Sequence, residues 1–351
     1  MTDGATPPHQ RRVRYSGTHP RRFSDKYKEL NPAAHAAEVE KVLQRGQTPA
    51  GMHRSICVAE ILSALQPQAG QSGLDATLGY GGHTQALLAH VLPGGQMVGL
   101  DVDSIELPRT RKRLQALGFA APALVLHHSN FSDLGRFVPE GSGGFDFILA
   151  DLGVSSMQID NPERGFSFRA DGPLDLRMDP AHGEPASALL QSITRQRLRD
   201  VLHDNADEPY AVALAAALQG QYVETTLQLA ERVRTALLLV LPRTLSATER
   251  QTQVKKALQR TFQALRIEVN QEFTVLDALL LQLPHCLKPG GRVAILSFHS
   301  GEDRRVKKAF QSGVRDGTYA AVAADPIRAS PEERRANPRA SSAKLRWAVR
   351  R

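Results

Sequence analysis

Four short stretches carry residue types that can do chemistry together. The first is Leu74-Asp-Ala-Thr-Leu-Gly-Tyr-Gly-Gly-His-Thr84. An apolar run meets Asp75, passes Gly79, Gly81 and Gly82, and continues through His83 into the apolar-periodic segment Gln85 to Leu92. That is the pattern of strand, tight loop and helix. Glycines let a ligand approach the backbone, and the free N–H groups of the following helix then face it. A phosphate-binding P-loop needs a lysine before Ser or Thr, and Gly82-His83-Thr84 has none. A dinucleotide fingerprint needs a third glycine where Thr84 stands. S-adenosylmethionine (AdoMet) has no pyrophosphate but carries an ammonium and a sulfonium, so an acidic residue just ahead of the glycines suits it. A βα turn that binds nothing has the same outline.

The second stretch is Gln96-Met-Val-Gly-Leu-Asp101. Asp101 follows Gly79 at about the distance at which an acidic residue meets a ribose hydroxyl pair in βαβ nucleotide folds. NAD enzymes share this feature. Asp103 and Ser104 are read as the N-cap of the next helix. The third stretch, Asp151-Leu-Gly-Val-Ser-Ser156, ends another apolar run. An exocyclic amine is a poor nucleophile because its lone pair is delocalised into the ring. A carboxylate accepting its N–H localises that pair and helps a proton leave. Asp151 is a candidate for that task or for holding the cofactor; a helix-capping aspartate is the plainer alternative.

Beside it lie Arg164-Gly-Phe-Ser-Phe168 and the Gly-, Asp- and Arg-rich run Asp171 to Asp179, read as a functional loop. Arg164, Phe166 and Phe168 are candidate substrate contacts, either phenylalanine serving as a stacking plane for a flipped base or lying buried. The fourth stretch is Ser297-Phe-His-Ser300. No G-x-S-x-G elbow accompanies it, so a hydrolase triad is disfavoured. His299 is read as a pocket-lining donor or proton acceptor, with a structural histidine as its rival. No metal-ligand spacing is present.

These residues need a scaffold. Apolar segments at 74–78, 96–101, 123–128, 145–151 and 292–298 alternate with helical patterns, as a parallel sheet requires. Pro108 is awkward in the helix after Asp103 and fits only if that helix starts late. Leu345 to Val349 reads as a final antiparallel edge strand. Between the fourth and fifth strands the chain is too long for one crossover. It shows helical periodicity at Ala186 to Leu202, Tyr210 to Leu218 and Leu227 to Leu241, an inserted helical subdomain near the carboxyl ends of the strands. Helices are also expected at Ala33 to Leu43 and Ile56 to Leu65.

The chain has 351 residues and a formal net charge of +8, which favours a polyanionic partner. Two cysteines, Cys57 and Cys286, give no disulfide or zinc framework. The N-terminus is polar and basic, unlike a signal peptide, and no apolar run reaches membrane-spanning length. A soluble cytoplasmic protein is expected. Residues 1–30 interleave Tyr15, Phe23 and Tyr27 with arginines and lysines, either an RNA-gripping arm or a disordered tail.

Taken together the stretches resemble the MraW/RsmH family, bacterial AdoMet-dependent methyltransferases acting on a cytidine N4 in small-subunit (16S) ribosomal RNA. The resemblance rests on Asp75 to Thr84, His128-Ser-Asn-Phe131, Asp151 to Ser156, Pro162 to Phe168, Asp171 to Asp175, Thr261-Phe-Gln-Ala-Leu-Arg266, Ser297 to Ser300, Asn337-Pro-Arg339 and Ser342 to Arg346. It implies a Rossmann-like class I α/β methyltransferase sheet over residues 31–160 and 260–351, with the insert at 161–259. It implies cofactor contacts from Gly81, Gly82, His83, Asp101, Phe131, Asp151 and Gln158. It implies small-subunit rRNA as partner, with a homodimer left open. Departures are His53-Arg-Ser-Ile-Cys57 near the start, Asn205-Ala-Asp-Glu-Pro209 in the insert, Gly301 after Ser300, and an arm additional to the typical member. An NAD-dependent oxidoreductase and a non-catalytic RNA-binding assembly factor are the rival readings.

Overall fold

The computed structural model describes residues 55–351. The arm at 1–30, the helix expected at Ala33 to Leu43 and the departure at His53 lie outside the described residues.

The chain opens with α1 (Val58–Leu65) and then alternates β1 (Ser72–Asp75), α2 (Gly82–Val91), β2 (Gln96–Asp101), α3 (Glu106–Ala116), β3 (Leu124–His128) and β4 (Phe145–Asp151). A 3-10 turn at Phe131–Phe137 links β3 to β4. After the insert come α10 (Glu272–Cys286), β5 (Leu287–Ser297), α11 (Ser300–Arg315), β6 (Tyr319–Val322), α12 (Pro331–Ala336) and β7 (Lys344–Arg350). The strand order is β3-β2-β1-β4-β5-β7-β6. Strands β1 to β5 run parallel, and β7 is antiparallel to both its neighbours. This is the Rossmann-like class I methyltransferase sheet.

The period-2 pattern of the buried strands splits their side chains between two helical layers. Phe147 and Leu149 of β4 face α1, α2 and α3 through Ile61, Leu87, Leu88 and Leu114. Their neighbours Ile148 and Ala150 face Leu276, Leu279 and Leu283 of α10 and Val306 and Phe310 of α11. Burying both faces fixes the register, because a slip of one residue would exchange every side chain between layers.

Several expectations shift in detail. β1 ends at Asp75 instead of Leu78, because the Asp75 carboxylate takes the Thr77 amide out of the ladder. β5 begins at Leu287; Pro289-Gly290-Gly291 forms a bulge, with Phe145 opposite Leu287 but Phe147 opposite Arg292. β7 is not an edge strand: β6, which the sequence reading missed, pairs outside it. Pro108 sits in the first turn of α3, where its missing N–H is harmless.

After β4 a short α4 (Ser156–Asp160) leads into the insert, which carries α5 (Ala186–Ser192), α6 (Arg195–Ala206), α7 (Ala211–Leu218), α8 (Thr226–Val240) and α9 (Ala247–Val269). The single helix expected over Ala186 to Leu202 is broken, because Thr194 caps α6 through the Arg197 amide. These helices share one apolar core with Phe166, Leu174 and Leu176. α9 runs through position 260 and contributes Phe262 and Leu265 to that core, so a boundary at 259 would cut a helix.

Candidate active site

The carboxyl ends of β2, β1, β4 and β5 lie side by side in the sheet, and they carry Asp101, Asp75, Asp151 and Ser297. The loop after β1 ties three of these tips together. Asp75 is fully buried; its Oδ1 accepts the Thr77 amide at 3.1 Å and its Oδ2 the Thr84 hydroxyl at 2.7 Å. Burial raises its pKa against those hydrogen bonds. Asp75 therefore braces the loop from within. The Gly79 amide donates to Asp101 Oδ2 at 2.6 Å, and the Asp151 amide donates to Thr77 Oγ1 at 2.6 Å.

Gly79 has φ 51° and Gly81 φ 76°, conformations that L side chains rarely adopt. Gly82 begins α2, and a Cβ there would meet Ser55 Oγ at 2.1 Å. Asp101 uses its other oxygen on the Asp103 amide at 2.8 Å. Burial pushes its pKa to about 6.

Asp151 and His83 face each other. His83 Nε2 lies 2.9 Å from the Ile56 carbonyl, and Nδ1 lies 3.6 Å from Asp151 Oδ2. Burial raises the Asp151 pKa to about 6, with His83 lowering it and Asp75 and Glu302 raising it. Asp151 Oδ1 is buried with no hydrogen-bond partner among the described residues.

Beyond the β5 tip, His299 Nε2 stands 3.2 Å from Glu302 Oε1. The Phe298 and His299 amides donate to Glu302 Oε2 at 2.9 and 3.4 Å. Burial would lift the Glu302 pKa, but His299, the Phe298 amide and Arg266 together hold it below the usual carboxylate range. Arg266, at the end of α9, is held by Glu272 through two bonds of 2.7 and 2.8 Å. Both ring nitrogens of His299 are buried without a hydrogen-bond partner among the described residues, so its approach to Glu302 is an ion-pair distance. Phe131 opens the 3-10 turn after β3, partly buried against the α10 layer.

The substrate candidates are placed otherwise. Arg164 is buried, its Nη1 on Asp103 Oδ2 at 2.7 Å and its Nη2 on the Met178 carbonyl at 2.8 Å. Three of its five N–H donors are used inside the protein, and they hold the loop to the sheet. Phe166 lies in the insert core, and the partly buried Phe168 packs at 5.4 Å on Phe262. Gln158 is also committed: its Nε2 donates to Asp103 Oδ2 at 2.6 Å and its Oε1 accepts the Ser155 amide. Asp103 accepts the Ile105 and Glu106 amides at the start of α3, whereas Ser104, expected to share the cap, donates to Asp179 Oδ1 at 2.8 Å. The second oxygen of Asp103 makes it the hub joining the sheet to Gln158 and Arg164.

Residues 50–351 match the family model described as the MraW methylase family. The chain belongs to this family. A relative from Alkaliphilus metalliredigens, named ribosomal RNA small subunit methyltransferase H 2, is 53% identical over 97% of this chain and 97% of its own length. One from Lachnoclostridium phytofermentans, methyltransferase H 1, is 51% identical over 99% of this chain and 95% of its own. A methyltransferase H from Synechococcus is 43% identical over 90% of this chain and 97% of its own. The first two matches leave too little of the chain outside to omit the whole arm, so most of it is shared with those two relatives, whereas the Synechococcus match leaves a tenth of this chain outside. An MraW methylase is no oxidoreductase, and the NAD reading falls.

The cofactor of this methylase is AdoMet, and the residues present fit it. Asp151 Oδ1 offers a buried, unpartnered acceptor for a cationic group. The left-handed Gly79 and Gly81 leave the loop without side chains at the strand tips. Each Asp101 oxygen spends one lone pair on a backbone amide and keeps another for a hydroxyl donor.

Proposed function

We propose that this MraW methylase methylates the exocyclic N4 of a cytidine in small-subunit ribosomal RNA, in the cytoplasm. The observation that carries the reading is identity above one half, over nearly the whole chain, to relatives named for that RNA. The N4 acceptor is what the family resemblance implies, and the acidic and imidazole groups flanking the strand tips suit an amine that must lose a proton. We read residues 161–269 as the substrate-facing insert.

AdoMet, when bound, supplies a methyl group already activated by its sulfonium. The protein's work is then positioning and proton management. Asp101 would hold the ribose hydroxyls, and Gly79, Gly81 and Gly82 keep the loop open beside them. Asp151 would hold the cationic amino-acid end, with His83 fixing its other oxygen. Phe131 would flank the adenine. Asp75 and Gln158 act one step back, bracing the loop and the Asp103 hub. The cofactor would give this methyl group to N4 and keep the sulfur–carbon bonding electrons on its sulfur. The amine proton passes to His299, and ionised Glu302 stabilises the imidazolium.

The reading is tested by supplying labelled AdoMet and small subunits from a strain lacking the enzyme, then mapping the modified nucleotide by mass. N4-methylcytidine is expected. Label on another atom, or none despite verified AdoMet binding, would favour a different acceptor or a non-catalytic assembly factor. His299→Ala should lower kcat on the order of 100-fold with AdoMet affinity unchanged.

A further inference from the structure

The outward face of α11 plays no part in the chemistry above, yet it is unusual for a solvated helix. After Glu302 and Asp303 the helix carries no acidic residue up to Arg315. Those two acids are buried and turned to His299, Lys344 and Arg346. Arg304, Lys307 and Lys308 are exposed and make no ion pair or hydrogen bond among the described residues. Some cations on other exposed helices have partners one turn away, Arg109 with Glu106, Arg234 with Glu231 and Arg335 with Glu332, whereas Lys255 and Lys256 of α9, like the α11 strip, have none among the described residues. Arg305, next to Arg304, is likewise held by Asp277 and the Phe273 ring.

The arrangement works against helix stability. Like charges three and four residues apart repel. The strip starts one turn from His299, the α11 N-cap. From Arg304 to Lys308 it runs about 6 Å along the axis.

We propose that Arg304, Lys307 and Lys308 form a phosphate-binding track that grips the RNA strand flanking the target nucleotide as it leaves the site. This rests on the RNA-methylation reading and adds to it the surface that carries the backbone. Phosphate contacts position a nucleic acid without reading its sequence, which is what a site that selects one base by its pocket requires. Lysine and arginine on one helix face supply that contact.

The test is the triple variant R304A/K307A/K308A. Alanine is a strong helix former, and removing the repulsion should leave the melting temperature unchanged or higher. RNA binding is read without turnover, on a small-subunit rRNA fragment with S-adenosylhomocysteine present, across a salt series. Three lost phosphate contacts should reduce the slope of log affinity against log salt by about 2. The RNA KM should rise at least tenfold while the AdoMet dissociation constant stays fixed. An unchanged salt slope and KM, or a loss confined to kcat, would overturn the track. If the unsubstituted enzyme binds RNA with the steeper slope but transfers no methyl group, the reaction assigned above falls and the track stands.

Discussion

His83 Nδ1 and Asp151 Oδ2 stand 3.6 Å apart, while His83 Nε2 is committed to the Ile56 carbonyl at 2.9 Å. A carbonyl only accepts, so Nε2 carries the hydrogen. Nδ1 then faces the carboxylate either as a lone pair or as the second N–H of an imidazolium, and a proton between them turns repulsion into attraction. The prediction concerns pH. Burial raises the Asp151 pKa from 3.8 to about 6. The folded state therefore keeps a proton that the unfolded chain has lost in that window, and stability falls as pH climbs through it. Asp151→Asn has no such proton to lose. Its melting temperature relative to the unsubstituted protein should rise between pH 4 and 7, by the equivalent of about 1–2 kcal/mol after screening at its partly open side chain. A flat difference across that range would mean the carboxyl titrates normally.

Asp101 couples the cofactor to the glycine loop. Its Oδ2 takes the Gly79 amide at 2.6 Å, so the carboxylate both shapes the loop and would hold the ribose. Asp101→Ala removes both functions and should weaken AdoMet binding at least tenfold, about 1.4 kcal/mol or more. Titration calorimetry reads this directly, and an unaltered dissociation constant would remove Asp101 from the binding site.

The glycine loop and the parallel strands were legible in the sequence because their signals are local. A period of two, a glycine turn and an acidic strand end all fall within a few residues. β6 was not legible: Tyr319-Ala-Ala-Val322 is short and weakly patterned, and pairing with β7 supplies what its own sequence lacks. Asp103 was read correctly as a cap, but its bonds to Gln158 and Arg164 reach 55 and 61 residues along the chain. Such pairs leave no periodic trace. Arg164 looked like a surface residue because arginine usually is one, and only the fold reveals the carboxylate that buries it.

That buried pair gives the third prediction. Arg164→Ala leaves Asp103 Oδ2 with Gln158 as its remaining partner and an uncompensated interior charge. The cost should be about 3–5 kcal/mol. Denaturant unfolding should show it as a lower midpoint, with Asp103→Asn/Arg164→Met recovering part of the loss. A stable Arg164→Ala variant that instead raised the RNA KM would return Arg164 to the substrate surface.

The last prediction concerns Gly82, where space and not backbone strain is limiting. Its φ is not among the positive values, but a Cβ would lie 2.1 Å from Ser55 Oγ and 3.4 Å from Ser55 Cβ. Gly82→Ala must therefore push Ser55 aside, next to the Ile56 carbonyl that holds His83. Overpacking of this kind costs about 1–3 kcal/mol, and here it should also displace His83 and weaken AdoMet binding. Removing the hydroxyl opens the space: Ser55→Ala/Gly82→Ala should recover most of both losses, because only the 3.4 Å contact remains. A double-mutant cycle in melting temperature and calorimetric affinity measures the coupling. Strict additivity of the two substitutions would show that the glycine serves the ligand's approach alone, with Ser55 having no part in the requirement.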